Sequence, residues 1–381
     1  MQLKKTLLAV VAGLAFAASA QAQLKVGVIT SSTGPVSLIG IPQKNTIQLM
    51  PTEIGGEKVE YIAFDDASDP SQSVTLIKKL ISEEKIDVLA GPSSSPNAMA
   101  ILDFAAEAKL PVLAPVGTIA IVLPMDEKRR WIFKTTQNDG LVANKLFDHM
   151  KANGVKKIGF IGTGDTFGET WFKVASDAAK ERGIEIVANE RFKRPDTSVT
   201  GQALRVLSAK PDAVLIAAPG GPAVLPQVTL TDMNYKGTFY QTHGAALTEF
   251  IKLGGPKVEG TILGGSVMLV PNDVPESNPS KKVALDYINA YKAAHGNEPA
   301  TFGGNMMDAG ILLQAAVPEA LKVAKPGTEE FRVALRDALE KIKEVPGTQG
   351  VYNMTPEDHS GFDERGVELV TVKDGKFALA K

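Results

Sequence analysis

The feature that most constrains this chain is a repeated alternation of short, uninterrupted apolar runs with amphipathic stretches of helical length. Apolar runs occupy residues 24–29, 59–64, 87–90 and 111–114, and a second series follows at 131–134, 157–161, 184–188, 213–217 and 238–241. Their centres are continuously apolar rather than alternating, as parallel strands covered on both faces require. Between them lie helical stretches at 71–84, 97–109, 141–152, 172–182, 199–207 and 223–233, the first opened by Asp69-Pro70. This βαβα order predicts an α/β fold of doubly wound parallel sheets. The strands are too many for one comfortable sheet, so two lobes are expected. The last third differs, with helices at 280–295, 307–323 and 329–342 and one strand near 258–263. Residues 367–372 and 376–380 read as a hairpin around Asp374-Gly375. These pieces are expected to return and complete the two lobes.

Residues 1–22 read as an export signal. Lys4 and Lys5 give a positive start, 7–18 an apolar run, and Ala20-Gln21-Ala22 a small-x-small cleavage pattern. The run is shorter than the roughly 20 residues of a membrane-spanning helix. The chain contains no Cys, which excludes a lipid anchor on Cys, disulfides and thiolate metal sites. The expected product is soluble and periplasmic, stabilised by its core alone. Formal net charge is -2, and -4 once Lys4 and Lys5 are removed. With no basic stripe, neither nucleic acid nor an anionic membrane surface is an expected partner.

Catalytic and cofactor patterns are weak. The four His residues, His149, His243, His295 and His359, are dispersed with no metal-ligand spacing. Neither a GxSxG elbow nor a GxxxxGK[ST] loop is present, and Gly162-Thr163-Gly164 lacks the third glycine of a dinucleotide loop. Asp65-Asp66 beside Asp69-Pro70 suits loop ordering and capping better than acid–base work. No enzyme, cofactor or metal is expected. What remains is a set of small polar loops after the apolar runs: 31–35, 91–96, 115–118, 166–168, 219–221 and 242–244. Ligands of open α/β sheets bind at the carboxyl ends of strands. Glycines such as Gly117 and Gly220 let a ligand approach the backbone. Together the loops predict a cleft.

Several stretches resemble the periplasmic leucine/isoleucine/valine-binding family, the type I solute receptors of branched-chain amino-acid ABC transporters. They are Thr33-Gly34-Pro35-Val36, the run from Phe64 to Pro70 (FDDASDP), Ser93-Ser94-Ser95, Ala114-Pro115-Val116-Gly117-Thr118, Asp165-Thr166-Phe167-Gly168 and Gly361-Phe362-Asp363. Order and spacing match over essentially the whole mature chain, and the acidic stretch is the most specific. The resemblance implies a type I periplasmic-binding-protein fold with two lobes joined by a three-strand hinge. One lobe would comprise 23–136 and 267–344, the other 137–266 and 345–381. It also implies a monomer that closes over a small carboxylate-bearing solute and delivers it to inner-membrane permease and ATPase subunits. A receptor feeding a sensor or chemoreceptor is the alternative use of such lobes. A transcription regulator would need a DNA-binding segment where the export signal stands.

Carried over residue by residue, the resemblance assigns Ser95 and Thr118 to the ligand carboxylate. Phe167 stands where the family has an aromatic lid, Ile39 where a first-lobe aromatic often lies, and Gly117 and Gly220 flank the site. His243 stands where amino-acid receptors place a carboxylate for the ligand ammonium. A buried ammonium without an anionic partner costs several kcal/mol. An aromatic acid, a short oxo or hydroxy acid, or a dicarboxylate is therefore expected ahead of an amino acid, with branched-chain amino-acid binding as the alternative.

Overall fold

Two sheets organise the chain in a computed structural model that describes residues 23–380; the export signal expected at 1–22 lies outside the described residues. The first sheet has six strands in the order β2 (Glu53–Ile54), β3 (Glu57–Asp65), β1 (Leu24–Thr30), β4 (Val88–Ala90), β5 (Val112–Ala114) and β6 (Ile132–Lys134). All its pairings are parallel except that of the two-residue β2 with β3. The second sheet has seven strands. They run β15 (Lys376–Leu379), β14 (Glu368–Lys373), β11 (Ile262–Gly265), β10 (Thr238–Gln241), β9 (Ala213–Ala217), β7 (Lys157–Thr163) and β8 (Glu185–Phe192). Here β8, β7, β9, β10 and β11 pair in parallel, and the β14–β15 hairpin adds an antiparallel edge. Its turn is the expected one: Asp374 and Gly375 take φ of 52° and 69°, the left-handed pair that a two-residue hairpin requires.

The central strands form where apolar runs are buried on both faces, while the outer β3 and β8 are only partly buried. In the first lobe, Val26, Val28, Val88 and Leu113 pack against helices Thr301–Leu321 and Glu329–Leu339 through Leu312, Leu313, Phe331 and Leu335. The opposite face meets Ile77, Leu80, Ile101 and Leu102. In the second lobe, Ile158, Leu215 and Ala217 face Val142, Leu146, Trp171 and Ala175 of helices Asp139–Ala152 and Thr166–Arg182. The other face is covered by Ala203, Val206, Leu230 and Phe250. The chain thus passes between lobes three times: after β6, after β11, and after Glu329–Leu339, where a small ribbon pairs β12 (Val345–Pro346) with β13 (Val351–Tyr352).

Some local expectations change. Residues 131–134, assigned above to the second series, complete the first sheet, with Ile132, Phe133 and Lys134 beside Val112, Leu113 and Ala114. Apolarity marks a strand but not the sheet it joins. The stretch 97–109 is two short helices, Ser95–Ala100 and Leu102–Glu107. The helix expected from 172 begins six residues earlier, because Asp165 accepts from the N–H groups of Phe167 and Gly168 and so caps Thr166–Arg182. Helices Ser37–Thr46 and Thr248–Gly254 had no counterpart in the sequence reading.

Strand order reverses between β1 and β4 in the first sheet and between β7 and β9 in the second. Crevices at such reversals, beyond the carboxyl ends of the strands, are where open α/β sheets receive ligands. The polar loops singled out from the sequence lie there.

Candidate functional site

The loops after β1, β3 and β4 are tied together by one buried carboxylate. Asp66 accepts from Ser31 Oγ, Ser73 Oγ and Asn97 Nδ2, each at 2.7 Å, and from Ser68 N at 3.0 Å. Its neighbour Asp65 accepts from Ser32 N and Thr33 Oγ1, and Asp69 caps helix Pro70–Lys79 through Ser71 N. The acidic stretch therefore orders loops, as expected. Ser93 Oγ accepts from Ser31 N at 2.8 Å, fixing the loop that leads into Ser95.

A cavity lies between the lobes at the two strand-order reversals. Ser93, Ser94 and Ser95 follow β4, Pro115, Val116 and Gly117 follow β5, and Thr136 belongs to the first passage. From the second lobe come Phe167, Arg194, Pro219, His243 and Gly244, while Ile39 and Phe302 close the apolar sides. The enclosed space measures about 30 Å³, roughly the volume of one water in the liquid. The two walls therefore meet closely, in a closed arrangement of the lobes. Thr118 Oγ1 donates to Thr170 Oγ1 across the cleft at 2.8 Å. A Cβ placed on Gly117 would stand 2.7 Å from His243 Nε2 and 2.8 Å from Phe167 Cε2, so only glycine allows this approach.

Of the residues named from the sequence, Ile39, Ser95, Gly117, Phe167 and His243 line the cavity. Thr118 and Gly220 lie just behind the wall, Thr118 engaged with Thr170 and Gly220 packed toward Ile39. The other histidines are elsewhere: His149 meets Tyr240 Oη, His295 meets Gln48, and His359 stacks on Phe133.

Two contributors were not anticipated. Arg194, just past β8, donates from Nε to Asp165 Oδ2 at 2.5 Å, while its buried Nη2 has no partner. It lines both the inner cavity and an outer pocket of about 380 Å³ at the cleft mouth, which it shares with Ser94, Lys193 and Asp165. Behind His243, Asp139 is fully buried. Its Oδ2 accepts from Ile119 N, its Oδ1 lies 3.9 Å from His243 Nε2, and the Trp171 indole N–H stands beside the carboxylate and lowers its pKa. Lys134, equally buried, donates to the carbonyls of Gly117 and Gln137. Burial pushes the Asp139 carboxyl up and the Lys134 ammonium down, and the attraction between the two opposes both shifts. No signal in the sequence marks these as a pair.

His243 is pushed down to about 3 by burial and then by the nearby Lys134 charge, so its ring is neutral at ordinary pH. A histidine whose folded pKa is depressed stabilises the fold fully above its unfolded value near 6.5, and that stability is lost as pH falls toward the folded value. Between pH 6.5 and 4, the melting temperature of wild-type protein should fall more steeply than that of His243→Gln. The difference is bounded by roughly 1.4 kcal/mol per pH unit. Parallel profiles would contradict the burial of a neutral ring.

A larger groove of about 870 Å³ lies on the first lobe between helices Thr301–Leu321 and Glu329–Leu339. Its mixed charges, Glu319, Lys322, Glu330 and Lys341, are those of a solvated face. Among the described residues no helix is long and apolar enough to cross a membrane.

Comparison with known proteins agrees with this architecture. The description of the periplasmic binding protein family matches residues 23–376. The chain belongs to that family, as a two-lobed type I solute-binding protein. It is 28% identical to the Leu/Ile/Val-binding protein BraC3 of Rhizobium johnstonii, over the full length of both chains. A solved extracellular ligand-binding receptor from Rhodopseudomonas palustris HaA2 is 46% identical, with a TM-score of 0.92 over 94% of this chain and 100% of the other. A solute-binding protein of an ABC transporter from R. palustris, solved in complex with benzoate, shares the fold at 22% identity. Its TM-score is 0.75, over 94% of this chain and 95% of that one.

Proposed function

We propose that this protein captures a small organic acid lacking an ammonium group, by closure of its lobes, as the periplasmic receptor of an ABC importer. The observation that carries the reading is the charge of the cavity wall. Arg194, with an unpartnered buried Nη2, and neutral His243 line it, and no Asp or Glu does. A buried cationic donor left unpaired is costly, and a ligand carboxylate supplies a charge-assisted partner. Ser95 would share that carboxylate at the start of helix Ser95–Ala100, with Thr118 and Gly220 supporting the wall. Ile39, Val116, Phe167, Pro219 and Phe302 suit an apolar, preferably aromatic, body. The benzoate complex of the R. palustris protein is consistent with such a ligand in this fold.

The second reading, an amino acid, is favoured by the name of the Rhizobium relative and by Asp139. Asp139, however, does not line the cavity, and Lys134 already offsets its charge. The moving bodies would be residues 23–136 with 267–344 and residues 137–266 with 345–381, turning about the three passages. Thermal melting of residues 23–381 against a solute panel tests the reading. An acid at about a thousand times its Kd stabilises by roughly 4 kcal/mol. Benzoate-type, phenylacetate-type, oxo-acid and dicarboxylate compounds should include one that raises Tm by several degrees, while leucine, isoleucine, valine and phenylalanine leave it unchanged.

A further inference from the structure

The inner end of the cavity holds polar groups that neither the fold nor a ligand carboxylate satisfies. Both ring nitrogens of His243 are buried and unpartnered, and Asp139 Oδ1 lies behind the ring, 3.9 Å from Nε2. The Trp171 ring packs against His243 at 5.7 Å between centroids, and Phe167 at 6.2 Å. Arg194 marks the opposite, outer end, since it also lines the pocket at the cleft mouth. His243 lies toward the first passage, backed by Asp139 and, through Gly117, by Lys134.

Resting on the organic-acid reading above, we propose that this inner end is a hydroxyl subsite. His243, oriented by Asp139, hydrogen-bonds an uncharged hydroxyl on the body of the acid whose carboxylate is held by Arg194. The substrate class is a hydroxy-substituted, preferably aromatic, acid. A carboxylate near Nε2 favours the ring proton on that nitrogen, so the neutral ring carries one donor and one acceptor, and a hydroxyl can pair with either. Asp139 and Lys134 already offset each other, so a charged ligand group here would lose its hydration without a free counter-charge, whereas a neutral hydroxyl meets no such penalty. A site built to bond a hydroxyl also discriminates strongly against the analogue without one, because its own polar groups are then left unpaired.

Calorimetric titration of wild-type protein and of His243→Leu with benzoate, phenylacetate and their 3- and 4-hydroxy and 4-methyl derivatives tests the proposal. In wild type, one hydroxyl derivative should bind at least tenfold tighter than its parent acid, and the methyl derivative should show no such gain. In His243→Leu the ratio of parent to hydroxyl Kd should fall to near one, whatever the absolute affinities. Equal binding of parent and hydroxyl acids by wild type overturns the subsite and leaves the organic-acid reading intact. A hydroxyl gain that persists in His243→Leu overturns the assignment to His243. Binding of amino acids with no binding of any acid overturns both. The hydroxyl-against-methyl comparison in wild type decides the matter even if His243→Leu fails to fold.

Discussion

Replacing Arg194 by Met should weaken binding of the organic acid by roughly 30- to 1000-fold, with a much smaller effect on melting temperature. The magnitude follows from removing one partner of a buried, charge-assisted pair, worth about 2–4 kcal/mol. Arg194 Nε is held by Asp165 at 2.5 Å, so the guanidinium is already oriented when a ligand arrives. Asp165 keeps its capping bonds to Phe167 N and Gly168 N, so the helix survives the change. Arg194→Lys should recover charge but not the geometry of a planar fork, and thus only part of the affinity. Titration calorimetry of the three proteins with one acid measures this. Unchanged affinity in Arg194→Met would remove the carboxylate anchor from the account.

Gly117→Val should disfavour closure at little cost to either lobe alone. The first branch atom would occupy space 2.7 Å from His243 Nε2 and 2.8 Å from Phe167 Cε2, contacts that exist only when the lobes meet. Gly117 is absent from the positive-φ residues, so valine strains no backbone there. A clash of this size costs about 1–3 kcal/mol when it must be accommodated by repacking. The cost falls wholly on the closed form, so ligand affinity should fall roughly 10- to 100-fold. Small-angle scattering should show a larger radius of gyration for Gly117→Val than for wild type when both are given ligand. An equally compact variant of wild-type affinity would mean that the cleft closes differently.

Much of this could be read in the sequence, and the rest fails for identifiable reasons. Strands β1, β4, β5, β7, β9 and β10 were legible because each has an uninterrupted apolar centre, and the loops after them were legible because ligands favour that end of a parallel sheet. The sheet to which Ile132–Lys134 belongs was not legible in the apolar pattern, since partner choice is a long-range property; only the resemblance, which put 23–136 in one lobe, pointed to it. Arg194 follows Arg191 and Lys193 and reads locally as a solvated basic run. Its burial depends on Asp165, 29 residues earlier. Asp139 precedes Gly140 and reads as a turn, yet the loop bearing Ile119 and the ring of His243 enclose it. Thr118 matched a ligand position by type, but in the closed form its hydroxyl is taken by Thr170. Expecting an uncommon ligand from His243 required the family comparison, because a lone histidine after a strand carries no such meaning.

Selection by the cleft of an acid without an ammonium group, as proposed, is tested most directly by a matched pair of ligands. Phenylalanine and 3-phenylpropanoate share ring, chain and carboxylate and differ only in the ammonium. Titration calorimetry of residues 23–381 should show 3-phenylpropanoate binding at least a hundredfold more tightly, since a buried ammonium facing neutral His243 and the Lys134 charge costs several kcal/mol. Tighter binding of phenylalanine would contradict the account and would make Asp139 the group that meets the ammonium.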